Sequence, residues 1–174
     1  MKFARTLLNA TILSAMFAGS AMAEPKNGFG LSAGYANHVR DCGGCAAYTT
    51  SGLGVGIDYQ FAVSENMSIS PFLMSSAETT TNITVGHGIL GGQVRYWSGN
   101  YFFGAHIGNY SEYATSNGYS NTGTGFGSGF VYGWERQDGG LFVMGQFDSA
   151  AIKYSGYSDI KLTALRFSTG YRWK

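Results

Sequence analysis

The chain has 174 residues and a formal net charge of +1, and only 12% of its residues are charged, about half the share that is usual in soluble domains. This near-neutrality argues against a protein that binds nucleic acid or that adheres to lipid through a basic patch. Aromatic residues reach 16% and glycines number 27, so the composition indicates that something other than water faces much of the folded chain.

The first 23 residues have the organisation of a signal peptide. Lys2 and Arg5 form a positively charged start, residues 7–17 are mostly apolar, and Ala21-Met22-Ala23 has the small-x-small pattern of a cleavage site. The apolar run is too short for a membrane-spanning helix, and the alternative is a buried N-terminal helix. We therefore predict that residues 24–174 form the exported protein, a length typical of one domain.

Eight stretches of residues 24–174 show alternating apolar and polar residues, the pattern of β-strands with two unlike faces. In the second stretch Leu53, Val55 and Ile57 share one face, and Gly54 and Gly56 share the other. Glycines interrupt the alternation in the fourth and sixth stretches, where a β-bulge would shift the faces. The predicted strands cover residues 28–38, 52–62, 67–76, 85–97, 101–110, 124–136, 141–150 and 161–173.

The connections between these strands alternate between short and long. Three short ones, near residues 64–66, 98–100 and 137–140, carry hairpin residues such as Gly and Asn. The other four, near residues 39–51, 77–84, 111–123 and 151–160, are rich in Ser, Thr, Asn, Gly and Tyr. This rhythm predicts an all-β fold, an eight-stranded antiparallel up-and-down barrel, whose closure removes unpaired edges.

Alternation alone leaves open which face of the barrel points inward, and a secreted soluble barrel that carries a ligand is the alternative to a transmembrane barrel. The polar face holds mainly Gly, Ser, Gln and a few ions, which suit the narrow, side-chain-filled interior of eight strands better than a water-facing surface. Aromatic residues also bunch at the ends of the strands, where a membrane interface would lie. The predicted interface aromatics at the short turns are Phe61, Tyr96, Trp97, Tyr101, Phe102, Phe103, Trp134, Phe142, Tyr171 and Trp173.

Three segments carry a resemblance to a known family, namely "QVRYWSGNYFFGAHIG", "FVYGWERQDGGLFVMGQF" and the closing "ALRFSTGYRW". Together with the signal peptide, they resemble the eight-stranded outer-membrane β-barrel family of Gram-negative bacteria, the OmpA- and OmpX-like group. The resemblance implies location in the outer membrane, periplasmic termini and short turns, and extracellular long loops. It also implies that outer-membrane lipid and the outer-membrane assembly machinery are partners. Family members usually end on an aromatic residue, whereas here Lys174 follows Trp173.

The predicted inward face gathers acids and bases in equal number, as expected if buried charges are paired. We predict that these residues form a neutral hydrogen-bonded plug, and the alternative is a gated pore, for which eight strands leave little room. The predicted interior network comprises Asp58, Gln60, Gln93, Arg95, His106, Glu135, Gln146, Asp148, Arg166 and Arg172.

The two cysteines of the chain, Cys42 and Cys45, lie in the first predicted long loop. Because an exported chain passes through an oxidising compartment, we predict a disulfide between them. A thioredoxin-like site would require a βαβ setting, which is missing here. A metal site that adds His38 and Asp41 is the other alternative.

No cofactor and no catalytic residues are predicted. Eight-stranded outer-membrane barrels include enzymes that modify lipid A, and these need a His, a Ser and an acid at the membrane boundary. His106, Ser111 and Glu112 are close in sequence, but a strand would place His106 and Ser111 on opposite faces, and His87 has no obvious partner. We therefore expect a structural or adhesion-like protein whose loops contact a host or surface ligand, with a lipid-A-modifying enzyme as the alternative.

Overall fold

The computed structural model describes residues 25–42, 47–79, 83–116, 119–136, 138–155 and 159–174, so the predicted signal peptide lies outside the described residues. Each strand pairs with the next in antiparallel fashion and the last pairs with the first, which confirms the predicted all-β, eight-stranded up-and-down barrel. No helix in these ranges is long and apolar enough to cross a membrane. The strands are β1 Gly28–Asp41, β2 Tyr48–Ser64, β3 Met67–Thr79, β4 Ile83–Ser98, β5 Tyr101–Ser116, β6 Tyr119–Glu135, β7 Gly140–Tyr154 and β8 Ile160–Trp173.

The three predicted short turns are confirmed, and they lie at one end of the barrel, which we call the turn side. Two residues separate β2 from β3 and two separate β4 from β5. Gly99 and Gly139 have φ angles of 59° and 88°, in the left-handed region that glycine adopts without a steric cost. The turn before β7 is closed by hydrogen bonds from the amide of Gly139 to the carbonyl of Arg136 and from the amide of Arg136 to the carbonyl of Leu141.

The prediction of four long loops at the other end, the loop side, is wrong in their length. The connections there comprise only residues 42–47, 80–82, 117–118 and 155–159, because strand pairing continues into the predicted loops. Arg40 pairs with Tyr48, for example, and Ser116 pairs with Tyr119. Near this end both faces of the strands carry polar residues, so the alternation on which the prediction depended disappears although the backbone pairing does not.

The glycines of β4 and β6 do not create a bulge, since the register of both strands with β5 is continuous. The register shift lies instead between β2 and β3, near Ala62 and Ser64. In β6 the inward glycines make room for large side chains. A Cβ atom on Gly129 would lie 2.5 Å from a ring atom of His106, and one on Gly133 would lie 2.4 Å from a ring atom of Phe102.

The outer surface of the wall is apolar over most of its height. Leu53 is 76% exposed and Phe130 is 69% exposed, and these are side chains that normally leave water on folding. The interior contains buried arginines, carboxylates and histidines beside its apolar side chains. This arrangement is the reverse of a soluble ligand carrier and is that of a transmembrane barrel of the outer-membrane type.

Candidate functional site in the barrel interior and at the loop side

Near the turn side, two arginines and two carboxylates from four strands form buried ion pairs. The Nη2 atom of Arg172 lies 2.9 Å from Oδ2 of Asp58, and its Nε atom lies 3.0 Å from Oε2 of Glu135. Arg95 contributes a contact of 3.3 Å with Asp58. Both arginines are almost completely buried, so they depend on these partners to offset the loss of water. We call Asp58, Gln60, Arg95, Glu135, Arg172 and Lys174 the turn-side cluster.

Two further members complete the turn-side cluster. Gln60 accepts a hydrogen bond of 3.1 Å from Nη1 of Arg95. The Nζ atom of Lys174 lies 3.1 Å from Oε1 of Glu135, and its side chain is mostly covered. The residue that follows the last strand therefore neutralises a buried carboxylate of the interior.

The interface prediction is wrong for Trp97, which is 3% exposed and points into the barrel. Its indole Nε1 donates a hydrogen bond of 2.9 Å to Oγ of Ser68. Phe102 and Phe142 are also buried, and they pack beneath guanidinium groups, with Arg95 4.8 Å from the ring centre of Phe102. Alternation places neighbouring residues on opposite faces, so a pair of adjacent aromatics cannot both face lipid.

The other predicted interface aromatics lie on the outer face. The rings of Tyr96 and Phe103 are 5.3 Å apart across β4 and β5, and those of Tyr171 and Trp173 are 4.9 Å apart along β8. This placement matches an aromatic belt at one membrane interface. The outward set is Phe61, Tyr96, Tyr101, Phe103, Trp134, Tyr171 and Trp173.

At mid-height the carboxylate of Asp148 is the centre of a second set of contacts. Its Oδ2 atom lies 2.8 Å from Nε of Arg166. Its Oδ1 atom lies 2.7 Å from Nε2 of His106, and it accepts hydrogen bonds of 3.0 Å from Tyr110 and 2.7 Å from Gln146. We call these five residues the central cluster.

Gln93 is also buried, and it lines a cavity between the turn-side and central clusters together with Met74 and Met144. This cavity has a volume of ≈ 10 Å³, about the space of one water molecule. Side chains therefore fill the interior at this level.

A third set of ionic contacts, near the loop side, was not predicted from the sequence. Arg40 lies 2.8 Å from Glu112 through its Nε atom and 3.5 Å from Glu78 through Nη2. His87, for which no partner was apparent in the sequence, lies 3.1 Å from Glu112. His38 contacts Glu78 through Nδ1. We call His38, Arg40, Glu78, His87 and Glu112 the loop-side cluster.

Three residues of the loop-side cluster have the donor types of a metal site, because His38, Glu78 and His87 each place one donor atom within 4.8 Å of the others. The guanidinium of Arg40 lies 2.6 Å from Nε2 of His87. A cationic side chain thus already occupies the position that an ion would need, and we assign no metal site to the cluster.

The alternative metal site at the cysteines is not favoured by the strand geometry. His38 points inward and Asp41 points outward on β1, so the two side chains lie on opposite sides of the wall. Cys42 directly follows β1, and Cys45 lies outside the described residues. The disulfide therefore stays a prediction.

The wall extends beyond the length that a membrane requires. A tilted strand crosses the bilayer with about 9–11 residues, whereas the strands contain between 13 and 17 residues. On the loop side the outer face changes from large apolar residues to hydroxyl, amide and lysine side chains. We call this surface the collar, and its outward residues are Asn37, Thr49, Ser51, Thr79, Asn109, Ser111, Tyr113, Thr122, Thr124, Lys153 and Lys161.

No profile of a protein family and no curated protein matches the chain, but solved structures do. The crystal structure of Ail, the attachment invasion locus protein of Yersinia pestis, has a TM-score of 0.60 and 14% identity and covers 86% of this chain and 100% of its own. A complex of Ail with the heparin analogue sucrose octasulfate has a TM-score of 0.58 at the same identity and coverage. Neisserial surface protein A has a TM-score of 0.59 and 11% identity and covers 83% of this chain and 97% of its own. Closure, strand number and the apolar outer wall agree with these likenesses, and the chain has the fold of the eight-stranded outer-membrane β-barrel proteins.

Proposed function

We propose that the protein is a non-enzymatic barrel of the outer membrane that attaches to another surface through its collar. In this arrangement the turn side and the termini face the periplasm and the collar faces the outside. The observation that supports the proposal is the extension of paired strands beyond the apolar belt. Such an extension holds a polar surface rigidly away from the bilayer, and a barrel that served only to span the membrane would not need it.

The chemistry of the collar favours recognition by hydrogen bonds and aromatic contact. Its outward face is mainly hydroxyl and amide groups, and Tyr113 adds an exposed ring. Lys153 and Lys161 are offset by Asp41 and Asp159 at the same end of the barrel. Because the charges balance, attachment should depend little on ionic strength.

The proposal is tested with bacteria that carry the wild-type protein or a variant in which Thr49→Val, Tyr113→Phe, Thr122→Val and Thr124→Val are combined. These changes keep side-chain shape, and Tyr113→Phe retains the ring that covers Gly86, but together they remove four hydroxyl groups from the collar. We expect the variant to lose more than half of the attachment to epithelial cell monolayers that the wild type confers over a deletion strain.

The matched control is Thr169→Val, which removes an outward hydroxyl from the apolar belt below the collar. This variant should attach as the wild type does, and all strains that express the protein should carry equal amounts of heat-modifiable barrel. If the wild type attaches no better than the deletion strain, the proposed function is wrong. Equal attachment of the collar variant would show that the collar does not make the contact.

The enzyme alternative is not favoured by the positions of its candidate residues. His106 is buried in the barrel and Ser111 is exposed on the outer face. This histidine therefore cannot accept the proton of the Ser111 hydroxyl. His87 and Glu112 are engaged with Arg40 and with each other. Mass analysis of lipid A from cells with and without the protein should show the same acyl pattern, and an altered pattern would favour the enzyme.

We propose that Cys42 and Cys45 form a disulfide at the tip of the collar. Four-residue rings of this kind stabilise by at most about 2 kcal/mol on the loop-entropy estimate, so the bond would act locally, on the β1–β2 connection. Thiol titration of protein isolated without reductant should find no free thiol, and two free thiols per chain would contradict the pairing.

A further inference from the structure

Two imidazole rings stack face to face in the loop-side cluster. The ring centres of His38 and His87 are 3.9 Å apart and the planes differ by 13°. Both residues are almost completely buried. Neutral rings tolerate this stacking, whereas two imidazolium rings at this distance would repel each other.

The hydrogen bonds of His38 require the neutral ring. Nη2 of Arg166 lies 3.0 Å from Nε2 of His38, and a guanidinium group can only donate. Nε2 therefore accepts and carries no proton, so Nδ1 carries the proton and donates it to the carboxylate of Glu78.

His87 also lies between an arginine and a carboxylate. Nη2 of Arg40 lies 2.6 Å from Nε2 of His87, which must therefore be the acceptor. Nδ1 carries the proton and lies 3.1 Å from Oε2 of Glu112. In each histidine the only nitrogen that can take a further proton is the one that faces an arginine.

The charged and titratable groups around the stacked pair come from four other strands as well as from β1. Glu112 faces Nδ1 of His87, which already carries a proton, whereas Glu78 contacts Nδ1 of His38 and also lies 3.6 Å from Nε2 of His87. Beyond the first contacts, Arg166 is also held by Asp148, and Glu112 accepts a hydrogen bond from Tyr154. The complete set is Arg40 on β1, Glu78 on β3, Glu112 on β5, Asp148 and Tyr154 on β7, and Arg166 on β8, with the uncharged Thr50 of β2 bound to Arg40.

We infer that the stacked pair is an acid-sensitive latch for the loop side of the barrel. At neutral pH the two imidazoles accept hydrogen bonds and hold Arg40 and Arg166 in place. When the rings bind protons in an acidic medium, the two guanidinium groups are released, and the strands that the cluster joins loosen at the collar. The turn-side cluster contains no histidine, so the barrel stays inserted and closed at its other end.

The experiment measures the rate of unfolding of the purified protein in detergent micelles at pH 7.5 and pH 5.0, read from the gel mobility of folded and unfolded forms. Between these values imidazole is the side chain that ordinarily titrates. We expect the wild type to unfold at least about tenfold faster at pH 5.0, because a transition state that binds one more proton than the native state gains about tenfold in rate for each pH unit over which that difference holds.

The double variant His38→Gln and His87→Gln should lose this acceleration, because glutamine both accepts from an arginine and donates to a carboxylate without binding a proton. His106→Gln is the matched control, since His106 contacts Asp148 in the central cluster and should leave the acceleration as in the wild type. An acceleration that persists in the double variant, or that disappears in the control, would overturn the inference.

A measurement on the wild type alone keeps the inference testable if the double variant does not fold. Nitrogen-15 spectra of the histidines, followed as the pH is lowered, should show the rings of His38 and His87 gaining protons together with changed guanidinium signals of two arginines. Rings that bind protons while the arginine signals are unchanged would contradict the latch. The test does not depend on attachment and can fail independently of the proposed function.

Discussion

The turn-side cluster and the loop-side cluster solve the same problem, buried charge inside a narrow barrel, with different residues. The turn-side cluster uses arginine and carboxylate groups whose charges are fixed at physiological pH, and its guanidinium groups lie over aromatic rings. In the loop-side cluster neutral histidines take the place of several ionic partners. The comparison teaches that ion pairs of fixed charge hold one end of the interior, whereas hydrogen bonds that depend on neutral histidines hold the other.

The largest effect should follow from Arg172→Met. This change leaves the buried carboxylates of Asp58 and Glu135 with fewer cationic partners, and removing one member of a buried ion pair typically costs about 3–5 kcal/mol. We expect the folded fraction of protein refolded into micelles to fall sharply, as measured by gel mobility and by urea titration. A decrease of less than about 1 kcal/mol in the free energy of unfolding would mean that the turn-side cluster does not stabilise the barrel.

The same substitution in the loop-side cluster, Arg40→Met, should cost less, about 1–2 kcal/mol. Glu112 keeps a hydrogen bond from Tyr154, and Glu78 keeps its contact with His38. Urea titration under the conditions used for Arg172→Met provides the comparison. If Arg40→Met lowered the free energy of unfolding as much as Arg172→Met or more, the two clusters would not differ in their contribution to stability.

A smaller effect is expected for Trp97→Phe, which removes the hydrogen bond to Ser68 and should cost about 1 kcal/mol. The inward position of Trp97 has a separate optical test. In a variant with Trp134→Phe and Trp173→Phe, lipids with brominated acyl chains should leave the emission of Trp97 nearly unquenched. Strong quenching would show that Trp97 lies at the membrane interface and not inside the barrel.

The smallest expected effect is on ion conduction. Because side chains fill the interior at mid-height, the wild-type protein in planar bilayers at pH 7.5 should show no stable conductance steps. Large reproducible steps would show that the clusters line a pore. The Arg172→Met variant should behave likewise where it folds, since methionine occupies similar volume.

Strand number, closure and the positions of the tight turns could be predicted from the sequence because alternation and turn residues are local signals. The loop-side strand ends could not be predicted by alternation, since consecutive residues such as Thr49, Thr50 and Ser51 are all polar although they lie on opposite faces of the strand. One local signal was available there, because Asn117-Gly118 is a dipeptide that favours two-residue hairpins, and β5 and β6 are separated by only these two residues.

The loop-side cluster could not be predicted because its members lie far apart in the chain. His87 contacts Arg40, which is 47 positions away, and this proximity depends on the stagger between strands, which alternation does not encode. The central cluster has the same character, since His106 and Asp148 are 42 positions apart. Charge balance indicated that pairing would occur, and the barrel geometry decided which groups meet.

The seam between β1 and β8 differs from every other strand pair of the barrel. Seven pairs join consecutive strands, whereas this one brings Phe29 to Trp173 and Asp41 to Lys161. A hydrogen bond of 3.3 Å from Nη1 of Arg172 to the carbonyl of Gly28 spans 144 positions at the same seam. The entropy lost in closing a long stretch of chain is therefore concentrated at the β1–β8 pair. The barrel cannot close before β8, the last strand of the chain, is present to pair with β1.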